Sequence, residues 1–304
     1  MTTYNKAPHI DKFLTNFSLK YTNENMVADI IAPVVKVQKS SDKYLIYKKD
    51  NLRIYDNIYR SGSESNGIEH FTEDATYAAE EYALHDVVLD REKANADTPA
   101  NPRIDTTEFI TEAMVLAREN RVVSIVTDTN VVTNNATPAN KWDAASSTPK
   151  ADIFTGIKTV QASVLRPPNS IFIPFETALV LARHSDYTDD SKYTKNLSGM
   201  FGLPDVLWGL KVYIVTTAYV GDQTGASDPS ISALWSDSVL IAYVNPAPAG
   251  LKTMHFMKSF TPVARYIWSE YVRKLHGEWI ESNEEMDEVV TAAGCAYLLT
   301  DCLT

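Results

Sequence analysis

Only two cysteines, Cys295 and Cys302, occur in 304 residues, and both lie near the end of the chain. They are too few for a disulfide framework, and their spacing fits no zinc or redox motif. Free or buried thiols in a reducing compartment are the expectation. No apolar run approaches the roughly 18 residues a membrane-spanning helix needs. The opening segment from Met1 to Phe13 lacks the charged-then-apolar pattern of a secretory signal, so the chain reads as made and kept in a cytoplasm. A basic excess is missing too. Against 39 acidic residues stand 28 Lys and Arg, a formal net charge of −11, which argues against a dedicated nucleic-acid binder.

Catalytic signatures are equally scarce. There is no Gly-rich phosphate loop, dinucleotide fingerprint or nucleophile elbow. The histidines (His9, His70, His85, His184, His255, His276) are dispersed, with no His-x-x-x-His pair. Asp186, Asp189 and Asp190 lack the alternating ligands and turn glycine of a calcium loop and read as a solvated loop. Glu281, Glu284, Glu285, Asp287 and Glu288 read as a soluble turn. No catalytic, cofactor-binding or metal-binding residue is assigned, and no cofactor is expected.

What is present is enough apolar material for a sizeable core: 44% of the residues are hydrophobic and 22% charged. Charge is uneven along the chain. Residues 1–60 carry ten Lys/Arg against six Asp/Glu, whereas residues 270–304 carry two against eight. A basic end of one subunit meeting an acidic end of another would explain this, with Lys48, Lys49 and Arg53 on one side and Glu284, Glu285, Asp287 and Glu288 on the other. Solvated surface is the plainer explanation.

Ile10, Phe13, Leu14 and Phe17 have near-helical spacing, and a second short helix can begin after Asn23 and must stop near Pro33. From Val34 to about Ala83 strands flank a polar centre, Ser61–Gly67, with too few apolar residues to fold alone. A confident helix follows over 104–121. Asp105 is placed to cap it, Glu108 to close a capping box, and Phe109, Ile110, Ala113, Met114 and Ala117 to form its buried stripe. After a polar loop holding Trp142, a helix begins at Asp152 with Ile153, Ile157, Val160 and Val164 in register. Strands at Ser170–Ile173, Leu210–Val215 and Val239–Val244, with a helix over Glu176–His184, describe an α/β or α+β unit. The chain ends in a hairpin of two long strands, Ala264–Leu275 and Val289–Leu299, joined by an acidic turn over Ser282–Glu288. Tyr266, Trp268, Tyr271 and Trp279 belong to this region, as core or interface packing.

This order of parts resembles the tailed-bacteriophage major capsid protein with the Hong-Kong-97-type fold. Tyr21, Asn25, Ala28-Asp29, Ile31-Ala32-Pro33 and Val37 look like that family's passage from arm to hairpin. Trp142, Pro149, Asp152-Ile153 and Pro168-Asn169-Ser170 look like its entry to the central domain, and Arg273-Lys274-Leu275-His276-Gly277 with Gly294 like its closing strands. The resemblance implies an α+β fold with an N-arm (1–39), an extended β-hairpin loop (40–83), a peripheral domain (84–150 and 251–304) around a long spine helix, and an axial α/β domain (151–250). It implies a structural protein of the virion capsid and not an enzyme. Its partners would be its own copies in pentamers and hexamers, a separate scaffolding protein, a portal and a decoration protein, with double-stranded DNA enclosed without sequence-specific binding and no membrane. A family cross-link through a hairpin lysine is not assigned to Lys43, Lys48 or Lys49. Two other readings fit the residues: an encapsulin-type nanocompartment shell, and a soluble α/β enzyme or carbohydrate-binding module with a site near Trp208, Trp235 and Trp268.

Overall fold

The computed structural model describes residues 10–20, 26–47, 53–59, 62, 64–69, 71–96, 101–191, 202–221, 228–245 and 254–304. Short, continuously apolar runs build its larger sheet. β6 (Ser170–Pro174), β8 (Leu210–Val215), β11 (Val239–Ala242) and β14 (Ala296–Leu299) lie between the short edge strands β5 (Asn135–Ala136) and β7 (Val206–Leu207), in the order β5-β14-β11-β6-β8-β7. β6 runs parallel to β8 and β5 to β14; the other pairs are antiparallel. Both faces of the sheet are covered, which is why its strands read as unbroken apolar runs. Ile171, Ile173, Ile241 and Tyr297 point to one side, against Ile153 and Val160 of α5 (Pro149–Val164). Phe172, Leu240 and Leu298 point to the other, against Val122, Val123 and Val126 at the end of α4 (Pro102–Val126). At Gly156 of α5 a Cβ would stand 2.8 Å from Ile241 and from Tyr297, so only glycine lets the helix approach this closely.

The second sheet has the order β1-β12-β13-β4, from β1 (Val34–Lys36), β12 (Met257–Val272), β13 (Gly277–Val290) and β4 (Glu80–Leu89). Helix α4 crosses one face of it, beside α1 (Lys12–Lys20). Leu14, Val88, Ile110, Met114, Ile267 and Ile280 form the core of that layer. Two smaller ribbons occur among the described residues: β2 (Ser41–Tyr47) with β3 (Thr72–Ala78), and β9 (Ala218–Val220) with β10 (Ile231–Ala233).

Several expectations are corrected. The closing hairpin turns at residues 273–276, where His276 takes φ 48°, and the stretch 282–288 lies inside β13. Its acids read as a turn because the arginines that neutralise them come from α4 and β12. The expected second strand over Val289–Leu299 is split: β13 ends at Val290, and Ala296–Leu299 crosses to the six-stranded sheet. Helix α4 starts earlier than expected, with Asn101 as its cap (the side chain accepts from Arg103 N at 3.2 Å) and Pro102 in its first turn. Asp105 falls in the first turn instead. The helix runs to Val126, and its buried stripe is shifted: Phe109 is 66% exposed and Ala117 exposed, while Thr107, Thr111, Arg118 and Glu119 are buried with Ile110 and Met114. A stripe that includes polar residues cannot be found by apolar spacing alone.

Candidate assembly surfaces

Burial of Arg118 and Glu119 on α4 is explained by what they hold. The Glu119 carboxylate accepts from Val27 N at 3.1 Å and Ala28 N at 2.7 Å, capping the short helix α2 (Ala28–Ile31). Burial raises its pKa, opposed by those two backbone donors. Arg118 pairs with Asp29 and donates to Ala32 O at 2.9 Å. One turn on, Arg121 makes a bidentate contact with Glu288 at 2.9 and 3.2 Å and lies 3.7 Å over the Tyr82 ring. Arg265 pairs with Glu284 at 2.8 Å. The network ties arm, spine helix and sheet of one subunit together.

Of the four acids expected to meet a neighbour, three are therefore engaged at home. Glu284 is 1% exposed and Glu288 8%. Asp287 accepts from Ala78 N at 2.8 Å, and burial raises its pKa. Glu285 is half-buried, directly across from Glu81 in the β13–β4 register. Like charges placed opposite one another on neighbouring strands are unfavourable. Of the basic residues, Lys48 and Lys49 lie outside the described residues, and Arg53 is exposed with its guanidinium 5.6 Å from the Phe71 ring centroid.

Glu81 and Glu285 belong to the sheet face turned away from α4, which carries other groups that a neighbour can use. His85 and Trp279 stack with ring centroids 3.6 Å apart. Trp279 Nε1 donates to Glu281 at 2.8 Å, and Asn283 donates to the same carboxylate at 3.0 Å. Tyr266 and Trp268 complete the face, half-buried. It is aromatic and acidic.

The extended loop is rooted in the same subunit and uncovered beyond the root. Tyr44 and Tyr77 pack on Phe260, with centroids 5.2 and 4.7 Å away. Farther out, Ile54 is fully exposed, Ile58 is 70% exposed and Ile68 67%. The arm is more attached than its sequence suggests. Asp11 N donates to Ile267 O at 3.0 Å, Arg103 pairs with Asp11 at 2.9 Å, and Leu14 is buried. Its other side, with Phe13 65% exposed and Leu19 54%, is bare.

The residues singled out for an enzyme or binding-module site are not brought together. Trp235 and Trp208 pack with different core clusters, and Trp268 stands on the other sheet. Asp186 accepts from Lys150 N at 3.2 Å and lies 3.9 Å from His184, Asp189 is exposed, and the Asp190 side chain lies outside the described residues. No group of three metal-ligating side chains occurs among the described residues. Ser147 contacts His184 Nε2 at 3.0 Å, but its buried hydroxyl is also within hydrogen-bond reach of the Ala144 carbonyl at 2.7 Å, which is not the arrangement of an exposed nucleophile. Burial pushes the Cys295 and Cys302 thiols up to about 11 and about 12.

The comparisons bear on this arrangement. No family model matches the chain. The chain is 24% identical over 259 residues to the major capsid protein of Burkholderia phage BcepMu, covering 80% of this chain and 79% of that one. It is 27% identical over 241 residues to the major capsid protein of Pseudomonas phage JBD67, covering 77% of each. Among solved structures, a phage-related protein from Bordetella bronchiseptica RB50 superposes with a TM-score of 0.78 at 19% identity, covering 98% of this chain and 99% of that chain. The capsid of a native GTA particle gives 0.61 at 14% identity, with 92% and 90% covered.

Proposed function

We propose that this chain, a homologue of phage major capsid proteins with the Hong-Kong-97-type fold, self-assembles into the icosahedral head of a tailed phage. The observation that carries the reading is the uncovered apolar surface on the extended loop and arm, where Ile54, Ile58, Ile68 and Phe13 stand exposed beside two well-packed sheets. Such surface is stable once a neighbouring copy covers it, and repeated heterologous contacts close into rings and a shell. The curated relatives are phage capsid proteins, which favours a virion shell over a nanocompartment and a structural role over catalysis.

In this reading residues 1–39 act as the arm and 40–83 as the extended loop. The four-stranded sheet with α4 is the peripheral unit and the six-stranded sheet the axial one. The axial unit then also takes in 134–142 and 296–304, which pair with or pack beside β14 and β11. The basic loop segment with Lys48, Lys49 and Arg53 meets an acidic face on a neighbour, and Glu81 with Glu285 replaces Glu284, Asp287 and Glu288, which are engaged within the subunit, as its acceptor. A scaffolding protein, a portal and a decoration protein join the copies, and the shell, made in the host cytoplasm, encloses double-stranded DNA without sequence-specific contacts. Negative-stain imaging of the purified protein is expected to show closed shells or their pentameric and hexameric units. A stable monomer at all concentrations, with or without a scaffold, contradicts the proposal.

A further inference from the structure

A cavity of about 720 Å³ opens at the carboxyl ends of the parallel strands β6 and β8, between the β9–β10 ribbon and the start of α6 (Phe175–Arg183). In open α/β sheets this end of the strands is the usual place for a ligand. Pro174, Val215, Ile231 and Leu303 make apolar wall, and Glu176, Asp237 and Asp301 supply the charge; none of the lining residues is Lys, Arg or His. Anions are therefore disfavoured.

Three further observations narrow the occupant. Trp235 lines the cavity at 2% exposure, and its buried indole N–H has no hydrogen-bond partner among the described residues. Asp301 at the rim already takes a lysine ammonium, that of Lys141 at 2.9 Å. Asp237 has one oxygen on Leu303 N at 3.2 Å, and the Glu176 carboxylate, exposed in the first turn of α6, makes no hydrogen bond or ion pair among the described residues. The ribbon alongside leaves Ile231 75% and Val220 50% exposed.

We propose that this cavity is a socket for a lysine-bearing loop of a second copy. The aliphatic stem packs on the apolar wall beside Ile231, the ammonium meets Glu176 and Asp237, and a loop carbonyl accepts from Trp235. This rests on the shell reading and names one interface within it, formed at the axial sheet and separate from the extended loop.

The double variant Glu176→Gln, Asp237→Asn removes both charges and keeps an acceptor for Leu303 N. Light scattering on the full-length chain is expected to show its threshold concentration for assembly at least tenfold above the parent's, with circular dichroism and melting unchanged. N-acetyl-lysinamide is expected to raise the parent's threshold. N-acetyl-norleucinamide, which lacks the ammonium, and n-butylammonium, which lacks the carbonyl, are expected to have little effect. An unchanged threshold in the double variant overturns the socket, as does equal inhibition by all three compounds. Failure of the parent to assemble at all, with or without a scaffold, overturns the shell reading instead. In that case calorimetry with N-acetyl-lysinamide still decides the socket: binding to the parent and not to the double variant supports it, and equal or absent binding rejects it.

Discussion

The six-stranded sheet and the extended loop come from one chain and obey opposite rules. In the sheet Ile171, Phe172, Ile173, Leu240 and Ile241 are all fully buried, with a helix on each side. In the loop Ile54, Ile58, Tyr59 and Ile68 face solvent at two-thirds exposure or more. At roughly 25 cal/mol per Å² of apolar area removed from water, covering those side chains is a substantial driving force. The sheet draws on that force in folding; the loop holds it for association. A subunit organised this way can fold without its neighbours and still be driven to join them.

The sharpest test of the packed half is Arg118→Ala. It removes the charged donor to the buried Ala32 carbonyl, which keeps only Ser259 Oγ at 3.0 Å, and frees the exposed Asp29, and losing hydrogen bonds to a charged group of this type costs about 1.5–3 kcal/mol. Urea unfolding should show a loss of that size, with the arm detached from α4. A loss under 1 kcal/mol would mean the network is solvated and the arm is not held by it.

Acid should act on the same region. His255 is fully buried, its Nδ1 accepts from Met257 N at 3.3 Å, and burial with the Lys258 charge nearby pushes its pKa down to about 4. The folded-state value is depressed, so the unfolded chain takes up the proton first. Stability is full above the unfolded value near 6.5 and falls as pH drops toward 4. The loss is about 3 kcal/mol over that window. His255→Asn should remove this dependence in denaturation curves at pH 7 and pH 4.5; a slope unchanged by the substitution would assign it to other groups.

Gly156→Ala probes the closeness of α5 to the sheet. The added methyl meets Ile241 and Tyr297 at 2.8 Å, and overpacking of this type costs about 1–3 kcal/mol. Thermal melting checks it. The smallest effect belongs to Ala117→Asp, on the exposed side of α4, where a change within about 0.5 kcal/mol is expected. Met114→Asp, one turn away and 3% exposed, should instead prevent folding or solubility. Equal behaviour of the two variants would place the helix in the wrong rotation.

Much of this organisation is legible in the residues, in proportion to how local its causes are. The runs Ser170–Ile173 and Leu210–Val215 and the stripe Ile153, Val160 identify strands and helix because their apolar pattern carries the information. The cap of α4 was displaced by four residues because Asn101-Pro102 is as good a start as Asp105 with Glu108. The acidic stretch 282–288 misled for a different reason. Glu284 and Glu288 are buried by Arg265 and Arg121, 19 and 167 residues away in the chain, and no local pattern announces such a partner. The open acidic face built from Glu81, Glu281 and Glu285 was equally hidden, since it exists only in the register of β13 with β4. The family resemblance and the curated relatives agree on the shell. They say nothing of which side chains join the copies.

The division between a half that folds and a half that assembles is tested most directly by deleting Asn51–Asn66, closing the gap with a short Gly/Ser turn, and comparing variant and parent by sedimentation, with circular dichroism on the same samples. An exposed loop end contributes few core contacts, so the variant should keep the parent's spectrum and melting temperature. It should sediment as small species under conditions where the parent forms shells. Unfolding of the variant would place the loop in the subunit's own core, and shell formation equal to the parent's would show that the loop does not join the copies.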